Sequence, residues 1–77
     1  MVYGVILFPS IYFALRAEKK SKEKGLSVRL IPVPRHLSSD CGVCLRIPWE
    51  EKETIHSLLE KEEVKIEGVH PLKTHEK

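Results

Sequence analysis

The chain has 77 residues, 42% of them hydrophobic and 31% charged, and a formal net charge of +2. That balance excludes a disordered or fibrous chain, and the charge is too small to argue for a nucleic-acid partner. The length suits one small domain, residues 1–72, with 73–77 as a polar tail; it lies near the lower limit for a self-sufficient core, so a homodimer stays open.

Val2 to Phe8, VYGVILF, is rich in β-branched and aromatic residues and apolar on both parities, which predicts a central strand ending at Pro9. The uncharged run from Met1 to Leu15 falls short of the ~20 apolar residues of a spanning helix. It is broken at Pro9 and has no basic segment ahead of it, which argues against a membrane anchor and against an export leader. Ser10 can cap a helix with its hydroxyl. Ile11, Ala14, Leu15 and Glu18 share a stripe with Phe13 and Ala17 on its flank, so the packed face is expected in the first two turns. The run RAEKKSKEK holds five cations against two carboxylates and leads to Gly25. Cations suit the negative end of a helix dipole and glycine suits the left-handed C′ position, so this is a solvated helix end before it is a nucleic-acid footprint.

Leu26 to Ile31 alternates, with Leu26, Val28 and Leu30 on one face, and stops at Pro32 and Pro34. Val43, Leu45 and Ile47 alternate with Cys44 and Arg46 in a third strand ending at Pro48. A second helix, Trp49 to Glu62, carries Ile55, Leu58 and Leu59 on one stripe and Glu50, Glu51 and Glu53 at its positive end. His56 belongs to its surface. Val64 to Val69 reads as a fourth strand. The order βαββαβ predicts a ferredoxin-like α+β sandwich: a four-stranded antiparallel sheet, order 4-1-3-2, with both helices on one face. The other face would carry Arg29, Arg46, Cys44 and either Lys65 or Glu67.

The chemistry concentrates in Pro32 to Leu45, PVPRHLSSDCGVCL. Two cysteines three apart make a poor disulfide framework, which points to a reducing cytoplasm. Cys41 shares the parity of Val43 and faces the helix side, at the sheet end where the first helix begins; free amides and the dipole there stabilise a thiolate. Cys44 points the other way along an extended strand, so C-G-V-C neither closes a disulfide nor chelates as it would on a turn, unless Gly42 breaks the strand. Arg35 and His36 can place positive charge beside the sulfur, and Ser38, Ser39 and Asp40 with Gly42 can form a turn whose amides hold an anion. A polar turn with an incidental thiol stands as the alternative. A metal site from His36, Cys41 and Cys44 with His70 or His75 lacks zinc-knuckle spacing, and no metal or other cofactor is expected.

Three motifs in order resemble the selenium/sulfur carrier-like family of small domains. They are F-P-S with A-L-R-A-E-K (Phe8 to Ser10, Ala14 to Lys19), G-L-x-V-R-L-I-P-V-P-R (Gly25 to Arg35) and S-S-x-C-G (Ser38 to Gly42). The chain differs from the family pattern at Ile11-Tyr12-Phe13, where members often carry polar or histidine residues, and in having Cys44. The resemblance implies that Cys41 carries sulfur or selenium as a persulfide or selenosulfide and passes it to a partner enzyme, with Ser10, Arg35, Ser38, Ser39 and Gly42 around it and a donor or acceptor protein as partner. Such a chain is a carrier rather than an enzyme with its own turnover. Two rivals remain: a thiol redox protein using Cys41 and Cys44, and a non-catalytic module whose loop holds an anion or a partner.

Overall fold

β1 (Tyr3–Leu7) is the strand on which the sheet is built, flanked on both sides and buried from Gly4 to Leu7. The computed structural model describes residues 2–37 and 41–72, in the order β1, α1 (Ile11–Glu23), β2 (Arg29–Pro32), β3 (Val43–Pro48), a 3₁₀ turn (Trp49–Glu51), α2 (Lys52–Lys61) and β4 (Gly68–Leu72). All pairings are antiparallel and the strand order is β2-β3-β1-β4, which read from the other edge is the ferredoxin-like order 4-1-3-2. Between sheet and helices lies a core of Ile6, Phe8, Ala14, Ala17, Val28, Leu45, Ile47, Ile55, Leu59 and Val64.

The packed face of α1 is shifted from the expected stripe toward its flank: Ala14 holds, Phe13 and Ala17 pack, and the buried line continues to Ser21 in place of Ile11 and Leu15. Ala14, Ala17 and Ser21 are buried, while Ile11, Tyr12 and Leu15 are 52%, 62% and 50% exposed. Small side chains at the contact let a helix backbone lie close on a sheet, and this close approach outweighs the greater hydrophobicity of Ile11 and Leu15. α1 ends as expected: Gly25 has φ +78, and the amides of Gly25 and Leu26 donate to Lys22 and Ser21 carbonyls, the two bonds of a Schellman motif. The Ser21 hydroxyl has no hydrogen-bond partner although fully buried. Ser21→Ala therefore removes a desolvated orphan and improves helix propensity, and should raise stability by about 1 kcal/mol in urea denaturation. Unchanged or lower stability would show that the hydroxyl is satisfied.

α2 ends in a second Schellman motif, with Glu63 and Val64 donating to Glu60 and Leu59; here a non-glycine, Glu63, takes the left-handed position at φ 60. Buried Val64 closes this motif, so the chain is still turning where a strand from Val64 was expected, and β4 starts at Gly68. Pro71 is tolerated in it because β4 is an edge strand. Lys65 and Glu67 accordingly precede the strand. The strand expected over Leu26 to Ile31 likewise forms only from Arg29 and runs through Pro32, again on an edge. The expected single helix from Trp49 begins as a 3₁₀ turn. Its Trp49 ring lies over Gly4, where an added Cβ would come within 2.6 Å of the ring carbon Cζ3.

Candidate functional site

Leu7 pairs with Cys44, so the end of β1 and the start of β3 meet at one end of the sheet. Ser10 follows Leu7 by three residues, and Cys41 precedes Cys44 by three. Both therefore lie at that end. Gly42, at φ +79, turns the chain into β3, and its carbonyl accepts from Val33 N–H at 3.2 Å, tying together the two ends of the loop between β2 and β3. Only glycine adopts this left-handed geometry without strain, which gives Gly42 a structural duty beside any at the site.

The two thiols lie on opposite faces of the sheet. Cys41 packs, half-buried, against the helix-side core, and its thiol donates to the Val43 carbonyl at 2.7 Å. Cys44 is fully buried in a second cluster with Val5 and Leu7, and its thiol points at the Pro32 carbonyl at 3.9 Å. Both are free. Burial, and after it the charge of Cys41, push the Cys44 pKa up to about 11, which leaves it a neutral thiol at physiological pH.

The outer face near the cysteines is apolar rather than charged. Ile31, Val33, Leu37 and Leu72 pack onto Val5, Leu7 and Cys44. Val33 and Leu37 thus fold the loop over the sheet on the side away from Cys41. Arg35 and His36, between these anchors, are exposed, and among the described residues they make no hydrogen bond or ion pair. Ser38 and Ser39 lie outside the described residues, as does Asp40. Ser10 holds the N-cap position of α1 in an extended conformation (φ −154, ψ 161), but its hydroxyl makes no capping bond, contrary to the sequence expectation. The first-turn amides thus lack a side-chain acceptor from the cap. Among the described residues no three potential metal ligands converge, and no helix is long and apolar enough to cross a membrane.

A family model described as "Putative Se/S carrier protein-like" matches residues 3–71. The chain belongs to this family. The match runs from the start of β1 through both helices to the next-to-last residue of β4 in this Se/S carrier-like protein, so the shared unit is the ferredoxin-like sandwich. No curated protein and no solved structure matches it. Two features near the site were not foreseen for this Se/S carrier-like protein: the Val43 carbonyl that accepts the hydrogen bond of the Cys41 thiol, and the apolar anchors Val33 and Leu37. Backbone acceptors leave no trace in a sequence, but the apolar spacing of Val33 and Leu37 inside a polar loop was a readable signal.

Proposed function

We propose that Cys41 of this Se/S carrier-like protein holds sulfur or selenium as a persulfide or selenosulfide and delivers it to a partner enzyme in a reducing, cytoplasmic compartment. The observation that carries this reading is the inequality of the thiols: Cys41 is partly open at the end of the sheet, whereas Cys44 is sealed and held neutral.

In loading, the Cys41 thiolate attacks the outer sulfur of a donor persulfide. The donor S–S bond breaks, its electron pair leaves on the donor thiolate, and a Cys41 S–S bond forms, with no net oxidation. Delivery repeats the exchange with an acceptor thiolate as nucleophile, so the carrier needs no general base of its own. The product is an anion. The α1 amides that Ser10 leaves uncapped and the turn at Gly42 are the backbone groups that support it.

Incubation with a cysteine desulfurase and cysteine, or with inorganic polysulfide or a small selenium donor, should add a reductant-labile chalcogen to Cys41, read as an intact-mass increase. Cys41→Ser should abolish the adduct and Cys44→Ser should leave it. One observation favours the redox rival: Cys44 feels the charge of Cys41, so the sulfurs are electrostatic neighbours despite facing apart. No loading from any of these donors, with a reversible Cys41–Cys44 disulfide in its place, would select that rival.

A further inference from the structure

At the end of the sheet away from Cys41, Arg29 on β2 pairs directly with Arg46 on β3. Like charges directly opposite on one face of an antiparallel pair repel, unless an acid stands between them. Among the described residues every ion pair lies elsewhere, on Arg16, Lys20 and Lys22. Arg46 is half-buried and held in place, its guanidinium 4.3 Å over the Tyr3 ring, and Arg29 is exposed beside it.

Both arginines line a cleft of about 700 Å³ with Tyr3 and Ser27. We propose that this cleft binds a small molecule through an oxyanion, a carboxylate or a phosphate monoester, with Arg29 and Arg46 donating to its oxygens. Guanidinium groups present N–H donors in a rigid fork matched to such oxygens, and a bound anion turns their mutual repulsion into shared attraction. Stacking on Tyr3 fixes Arg46 in advance, which lowers the ordering cost of binding. Glu50 and Glu51 line the same cleft and form no ion pair with either arginine. Their charge disfavours extended polyanions, and so restricts the ligand to one oxyanion group. The site lies apart from Cys41, so its occupancy and chalcogen loading are separable.

The test is calorimetric titration of the full chain with inorganic phosphate and with acetate at low ionic strength, chloride serving as the control anion. Saturable binding of at least one probe is expected. Arg29→Gln and Arg46→Gln should each weaken it at least tenfold, and Arg46→Lys should recover only part, since it restores charge without the fork. Lys61→Gln, which removes an exposed cation elsewhere, should change nothing. Without ligand, Arg29→Gln should raise the Tm at low salt, because it ends the repulsion; since Arg29 is exposed, this variant keeps the test valid if Arg46→Gln misfolds. Absence of saturable binding by either probe, or equal weakening by Lys61→Gln, overturns the proposal. Tighter binding of a short single-stranded oligonucleotide through the same arginines would also overturn it, in favour of a nucleic-acid surface.

Discussion

Brief treatment of the native protein with iodoacetamide at pH 7.5 should modify Cys41 at least about 100-fold faster than Cys44. Alkylation consumes thiolate, and a pKa of about 11 against an ordinary 9.0 makes the Cys44 thiolate about two decades scarcer than that of an unperturbed thiol. Burial adds a second barrier. Cys44 has no exposed surface, between Ile31 on β2 and Leu7 on β1, so reagent reaches it only through opening of the sheet. Cys41 needs no such opening. Peptide mapping after quenched labelling measures the ratio, and labelling in 8 M urea should bring the two rates together. Comparable native rates would show that the outer apolar cluster is open, and would remove the asymmetry on which the carrier reading rests.

The same alternation that placed Cys44 out of reach was readable in the chain. Val43, Leu45 and Ile47 mark the helix side of β3, and Cys44 takes the opposite parity whatever its chemistry. Gly25 and the basic run before it likewise announced the end of α1, because a left-handed C′ and a negative dipole end each demand a particular residue type.

Other features obeyed terms that a sequence does not display. The packed stripe of α1 is set by how near the helix can lie to the sheet, so Ala14, Ala17 and Ser21 are chosen over Ile11 and Leu15. β4 begins late because Val64 closes a helix terminus at Glu63, a left-handed position with no glycine to advertise it. At the site, Cys41 and the end of the sheet it occupies were legible from topology. The direction of the Pro34–Leu37 turn was marked only by the apolar pair Val33 and Leu37, which act by burial on the outer face and are passed over when a loop is judged by its turn residues.

Cys44 also makes stability fall at high pH. In the native chain the thiol keeps its proton up to about 11, whereas in the unfolded chain it releases it near 9.0. Between these values the native state binds more protons than the unfolded state, so the free energy of unfolding decreases as pH rises. A gap of about 2 pKa units corresponds to a loss of about 2.7 kcal/mol, most of it developed by about pH 11 and absent below pH 8. Urea denaturation of wild type and Cys44→Ala at pH 8 and pH 11 isolates this effect, because every other titrating group is common to both and cancels in the difference. At pH 8 the variant should be the less stable by about 1–2 kcal/mol, having lost a buried sulfur from the Val5–Leu7 cluster. By pH 11 the order should be level or reversed. Cys41→Ser should show a smaller alkaline loss than wild type, since it removes the neighbouring charge that contributes, after burial, to holding the Cys44 proton. A parallel decline of wild type and Cys44→Ala would mean that Cys44 ionises in the folded chain as readily as in the unfolded one, a result incompatible with its sealed position on the sheet.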